Sequence, residues 1–333
     1  MKRAGNLFDA ICDPDNLRLA WVKAKKGKED KQDVYLYGKH LQQNLNELRF
    51  QLMGGVPEIG NYQFFTIYEP KERLICAASF PERVMHHAIM NVCHPVFEKY
   101  QIYHSYATRI GKGQYAALEY AKMNQKKYRW FCKLDIRKYF DSISHELLLK
   151  QLSRRFKDQQ ILDLFDKIIG SYESNEGFGL PIGNLTSQYF ANFYLGQADH
   201  YLLEEVKIPA YVRYMDDMVL WHHDKTALLA AEKQFTVFIK NHLKLACKAP
   251  CINSHDKGLP FLGYVVFPNY VRLNKHSKRR FISKYHAAEI NMQNGYWTET
   301  EYARHILPLI AFTRHAQTAQ LRRNVFNLYP ETG

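Results

Sequence analysis

The sequence predicts an α+β protein. Helical and extended patterns alternate without a regular βαβ rhythm, pairs of extended runs meet across short turns, and no internal repeat or low-complexity tract intervenes. Hydrophobic residues make up 46% of the 333, enough for real cores and against disorder as the main state. No apolar run approaches the ~18 residues of a transmembrane helix. The start, Met1-Lys2-Arg3-Ala4-Gly5-Asn6-Leu7, lacks an apolar stretch with a cleavage site, so a cytoplasmic protein is expected.

Taken in order, a helical stretch runs to about Met53. Two extended runs, Tyr62 to Tyr68 and Arg73 to Ala77, flank the turn Glu69-Pro70-Lys71-Glu72 and read as a hairpin. Helix follows from Glu82 to about Tyr100, then a strand from Arg129 to Asp135. Ser144 caps a helix whose apolar face is Leu148, Leu152 and Phe156. A Gly-rich segment, Gly177 to Gly183, opens a helix striped by Phe190, Tyr194, Ala198 and Leu202. Near the C-terminus, Thr298-Glu-Thr-Glu301 is a capping box opening a helix that Pro308 should kink.

The charge points to a polyanionic partner. Forty-six Lys and Arg exceed 33 Asp and Glu by 13, and 14% of the residues are aromatic, a composition suited to nucleic acid whose bases can stack. Arg272, Lys275, Lys278, Arg279, Arg280 and Lys284 lie close together as a phosphate-tracking surface. The six cysteines lack zinc-ligand spacing and read as reduced, small hydrophobes. Gly111-Lys112-Gly113 has neither the spacing nor the Ser/Thr of a phosphate-binding loop.

Chemistry concentrates in Tyr211-Val-Arg-Tyr-Met-Asp-Asp-Met-Val-Leu-Trp221, where two apolar strands flank Asp216-Asp217 in a tight turn. Adjacent carboxylates on rigid strands suit hard cations, though a lone acidic hairpin tip would carry little weight. Asp135, ending its own buried strand, supplies the third carboxylate. Three oxygen donors from two elements can hold two Mg²⁺ roughly 3.5–4 Å apart for phosphoryl transfer.

These residues bring a resemblance with them. Phe131-Cys-Lys-Leu-Asp-Ile-Arg-Lys-Tyr-Phe-Asp-Ser-Ile143, Leu180-Pro-Ile-Gly-Asn-Leu-Thr-Ser-Gln188 and Tyr214-Met-Asp-Asp217 resemble motifs A, B and C of reverse transcriptases. Phe261-Leu-Gly-Tyr264 resembles the primer-grip turn, Lys71 and Arg73 the basic fingers residues, and Ser105-Tyr-Ala-Thr-Arg109 the segment after them, all in family order over roughly residues 60–270. The form of motif B, with Ile182 where relatives commonly carry Gln, is similar to that of diversity-generating retroelements. The rival of the same class is another small bacterial reverse transcriptase, and the rival of another class is a catalytically silent RNA-binding scaffold.

The resemblance implies a right-hand polymerase fold: an N-terminal helical extension with fingers (1–130), a palm of antiparallel sheet and helices (131–268, with a helical insertion near 145–175), and a helical thumb (269–333). It implies an RNA-directed DNA polymerase, bacterial or phage-encoded, that copies a template-repeat RNA into adenine-mutagenic cDNA from dNTPs, with a small basic accessory variability protein as partner. Asp135, Asp216 and Asp217 would be the catalytic carboxylates, holding Mg²⁺ or Mn²⁺ with the Ile136 carbonyl. Lys71, Arg73, Phe140, Ile182, Gly183 and Gln188 would bind substrate, Phe140 as the gate against a ribose 2′-OH. Arg109, Lys112 and Gly113 are candidate template contacts, with an exposed basic loop almost equally expected. Lys248 and Lys257 both stand as candidates for the acid that protonates pyrophosphate.

Overall fold

The computed structural model describes residues 3–68 and 72–327. Four helices come first: α1 (Phe8–Ile11), α2 (Pro14–Lys25), α3 (Gln32–Lys39) and α4 (Leu41–Met53). Asp13 caps α2 by accepting from the Asp15 and Asn16 amides, and Pro14 occupies the first turn, where its missing N–H costs nothing. Strands β1 (Tyr62–Ile67) and β2 (Arg73–Ala78) pair antiparallel, and their turn lies outside the described residues together with Lys71. Helix α5 (Phe80–Tyr100) starts two residues before the expected Glu82, because Ser79 caps it and Pro81 fits its first turn.

After α6 (Gln114–Lys127) comes β3 (Trp130–Asp135), then α7 (His145–Ser153), α8 (Gln159–Gly170), α9 (Leu185–Tyr194) and α10 (Gly196–His200). Ser144 caps α7 as expected, accepting from the Leu147 amide at 3.4 Å. Phe156 lies three residues past the end of α7, yet it is fully buried with Leu148 and Leu152. The stripe Phe190, Tyr194, Ala198 and Leu202 is entirely buried. Next come β4 (Ala210–Tyr214), β5 (Asp217–His222), α11 (Lys225–Leu243), β6 (Cys251–Ser254), β7 (Leu259–Phe261), β8 (Tyr264–Val266) and β9 (Val271–Leu273). The chain closes with α12 (Lys275–Gln293), α13 (Glu299–Arg314), whose capping box is complete, and α14 (Ala319–Asn327).

The chain forms two compact units. The first comprises Met1–Tyr103, Ile136–Val206 and Gln234–Lys248, and the second His104–Asp135, Lys207–Lys233 and Ala249–Gly333. In the first, α1–α4 pack on α5, which in turn packs on α9. The second holds a four-stranded sheet of order β4-β5-β3-β6, antiparallel throughout, and a three-stranded sheet β7-β8-β9. All six cysteines are free, four of them buried. Among the described residues no helix is long and apolar enough to cross a membrane.

Candidate catalytic carboxylates

The second unit brings the three aspartates to one end of its sheet. β3 is a central strand, and its buried Phe131, Cys132 and Leu134 hold it between β5 and β6. Register places Asp135 directly opposite Asp217, and Tyr214 opposite Asp217 on the other side. Cross-strand partners share a face, so the Asp135 and Asp217 side chains stand roughly 5 Å apart at Cβ. Along that face Phe131, Val219 and Trp221 belong to the core with Ala117, Leu118 and Ala121 of α6. The carboxylates stand where this apolar cover ends.

Asp216 lies in the two-residue turn between β4 and β5. The positive backbone angle of this turn falls on Met215, whose φ is +54°. A two-residue hairpin needs a left-handed residue at its first position to match strand twist, and Met215 occupies that position. The cost of holding a side chain there is on the order of 1–2 kcal/mol. The fully buried Arg213 stands beside it, its guanidinium donating to the Met215 carbonyl at 3.3 Å. Arg213 also ties β4 into the fold, its amide donating to His104 and its carbonyl accepting from Tyr106.

Lys133 completes the cluster. It sits two residues before Asp135 on the same face, and its ammonium reaches Asp217 Oδ1 at 3.3 Å, both side chains being under a quarter exposed. Burial pushes the Asp217 carboxyl up to about 6, with Asp216 and Asp135 adding to the rise and Lys133 opposing it. Asp217, Asp216 and Asp135 offer oxygen donors beside two cationic side chains, Lys133 and the buried Arg213, and oxygen donors of this kind suit a hard divalent cation. Among the described residues no three His, Cys, Asp or Glu side chains already converge as a ligand set. Arg213 and Lys133 match no catalytic position in the sequence motifs; the signal they leave there is a charged residue inside each largely apolar strand.

Lys257 is displaced from this end of the sheet. Ser254 pairs with Trp130, and Lys257 follows it, whereas Asp135 lies five residues further along β3, about 17 Å at strand rise. Its candidacy as pyrophosphate acid fails on that register. In the same unit, Arg109 donates to the Ser105 carbonyl at 2.8 Å, the Gly113 amide donates to Tyr106, and Lys112 lies over the Tyr106 ring.

The remaining candidates lie in the first unit, in one framework. Half-buried Phe140 begins a short 3-10 turn, and its carbonyl accepts from the Leu180 amide at 2.9 Å. Two residues later the Ile182 carbonyl accepts from the Cys76 amide at 2.8 Å, and Asn184 Oδ1 accepts from Ala78, fastening the segment to β2. A side chain at Gly183 would meet Ile75 Cγ2 at 2.9 Å and the Cys76 carbonyl at 3.2 Å, with φ at +123°, so only glycine fits. Exposed Gln188 lies in the first turn of α9, and exposed Arg73 begins β2. Buried Ile136 forms a bridge with Cys247, and Lys248 follows it in the same unit.

The stretch that holds these residues matches a known family. The family model "Reverse transcriptase (RNA-dependent DNA polymerase)" matches residues 69–266. The chain is 24% identical over 277 residues, 78% of its length and 32% of the relative's, to the "Putative COX1/OXI3 intron 1 protein" of Saccharomyces cerevisiae. It is 26% identical over 140 residues (40% of this chain, 23% of the relative) to the "Group II intron-encoded protein LtrA" of Lactococcus lactis subsp. cremoris. It is 25% identical over 158 residues (45% and 20%) to "Nuclear intron maturase 4, mitochondrial" of Arabidopsis thaliana. The chain thus spans a fifth to a third of the length of these three relatives.

Proposed function

The chain belongs to the reverse transcriptase family, and from that footing we propose that it is an RNA-directed DNA polymerase whose chemistry centres on Asp135, Asp216 and Asp217. The observation that carries this reading is the register pairing of Asp135 with Asp217 beside the Asp216 turn, at the edge of a buried face. Two Mg²⁺ ions, or Mn²⁺, held by these carboxylates and the Ile136 carbonyl would supply activation of the primer hydroxyl and charge stabilisation of the leaving pyrophosphate. The protein's own part is to keep the carboxylates ionised and fixed. Arg213 braces the turn from within, and Lys133 balances Asp217 while the cations are away. In this reading the 1–130, 131–268 and 269–333 segments serve as extension with fingers, palm and thumb. Lys71, Arg73, Ile182, Gly183 and Gln188 serve the incoming dNTP and template, and Phe140 is the steric gate.

The RNA copied is, on this proposal, the template repeat of a diversity-generating retroelement, read with errors at adenine and with an accessory variability protein as partner. Ile182 supports it: a β-branched apolar side chain has no polar atom with which to orient a nucleotide. The printed names of the intron relatives favour a second reading, a group II-like reverse transcriptase acting on an intron RNA. Primer extension on an RNA template tests the activity. Asp216→Asn should abolish incorporation while RNA binding stays nearly unchanged, and substantial cDNA from that variant would overturn the assignment. Sequencing cDNA made by wild type and Ile182→Gln separates the two readings. The retroelement reading expects fewer errors opposite adenine in the variant, about 2–13-fold for one hydrogen bond regained. Equal adenine error rates leave Ile182 as packing and favour the intron reading.

A further inference from the structure

The first unit contains a cleft that the polymerase reading does not use. It measures about 630 Å³ and opens between α3 and α4 on one side and β1 with the start of α5 on the other. That volume is within the range of small-ligand sites. Leu36, Phe80 and Pro81 contribute apolar lining, while Asp33, Gln43 and Gln63 contribute hydrogen-bonding groups. Tyr37 also lines it. This residue is only 7% exposed, and its hydroxyl finds no hydrogen-bond partner in the protein, an omission that burial makes costly. Asn44 donates to the Tyr37 carbonyl at 2.9 Å, which leaves its amide oxygen as an acceptor on the same wall.

Cations lie beside the cleft. Lys28 and Lys31 sit in the loop that precedes α3, and Arg83 is in the first turn of α5, one turn from the lining residues Phe80 and Pro81. Arg83 is held in place by donating to the Ala78 carbonyl at 2.8 Å. Half-buried Lys28 has its ammonium pushed below its ordinary range by burial and then by Arg83 and Lys31, with Asp33 opposing, and Glu29 and Asp30 share its loop. Lys23 and Lys28 act in the same direction on His87. A recess with side-chain amides that donate and accept at once, with cations near it in the chain, matches the chemistry of a nucleotide: a ring with a polar edge, and a phosphate.

We infer that the cleft between α3, α4 and β1 is a separate nucleotide-binding site, receiving one unpaired base against Leu36 and Pro81 with its phosphate on Lys28, Lys31 and Arg83. Gln43, Gln63 and Asp33 read the base edge. The Tyr37 hydroxyl gains its missing partner. The source of the nucleotide is either a free nucleoside phosphate or a base turned out from a single-stranded RNA. The site is independent of nucleotide transfer, because none of its groups belongs to the carboxylate cluster.

The test uses the full chain carrying Asp216→Asn, without divalent metal, so that loss of polymerase activity has no bearing on it. A short single-stranded RNA with 4-thiouridine is photo-crosslinked and the peptides are mapped. Crosslinks are expected within 33–44 or 63–83. The double variant Gln43→Ala/Gln63→Ala, both exposed positions, should lose those crosslinks and about tenfold in affinity for the site. Lys28→Gln with Lys31→Gln should lower the salt slope of RNA binding by about 1.4, at roughly 0.7 per phosphate on a single strand. Displacement by a mixture of nucleoside monophosphates assigns the site to a free nucleotide, and displacement by unlabelled RNA alone assigns it to an RNA base. Crosslinks confined to other segments, or crosslinks in these that both double variants leave intact, would overturn the inference.

Discussion

Replacing Gly183 by alanine tests the framework that presents Ile182. Its φ of +123° lies where side chains are rarely tolerated, a cost of about 1–3 kcal/mol. The added Cβ would also stand 3.2 Å from the Cys76 carbonyl, which is backbone and cannot yield as a flexible side chain would. Relief requires the strap to lift from β2, weakening the Cys76-to-Ile182 hydrogen bond by about 1 kcal/mol. The sum is about 3 kcal/mol. Gly177→Ala is the control, since Gly177 has φ +70° but nothing within 4 Å of its Cβ position, so only about 1 kcal/mol is expected. Thermal unfolding reads the difference at roughly 2–4 °C per kcal/mol, so Gly183→Ala should melt about 6–12 °C lower and Gly177→Ala about 2–4 °C lower. Primer extension should fall with the first and persist with the second. Equal melting shifts for the two would refute the close approach of residues 182–184 to β2.

Two further outcomes follow from charges outside the candidate centre. Neutralising the exposed Lys278, Arg279 and Arg280 in the first turns of α12 should flatten the salt dependence of RNA binding by about 2–3 in slope; an unchanged slope would make them solvated residues only. The buried pair Glu82 and His86, 3.5 Å apart, should hold one proton across the range where the two groups titrate separately in the unfolded chain, because burial raises Glu82 from 4.5 to about 7 and lowers His86 from 6.5 to about 3. The pair therefore leaves stability nearly level between pH 4.5 and 6.5, whereas in Glu82→Gln the depressed His86 remains alone and stability should drop as pH falls through that window, by about 2–3 kcal/mol, which melting curves at its two ends would detect.

The parts legible in the sequence are those set by local chemistry. Ser144 and Thr298 announced helix starts because a side-chain oxygen satisfies an amide a few residues ahead, and both caps form. The β1–β2 hairpin and β3 were legible from extended apolar runs, whereas the pairing of Asp135 with Asp217 was not, since nothing in either strand alone fixes cross-strand register. What escaped was decided by partners distant in the chain. Lys257 is close in sequence to the strands around it, yet antiparallel pairing of β6 carries it to the wrong end of β3. Arg213 reads as an interruption of an apolar strand, and the Met215 carbonyl that turns back toward it is one of its partners in the fold. The same turn shows why a glycine is dispensable there: a left-handed Met215 costs on the order of 1–2 kcal/mol, and a buried guanidinium donating to its carbonyl returns about 1.5–3 kcal/mol. The aspartate turn is thus braced by a charge inside the sheet, from a residue two positions before Met215 on the strand.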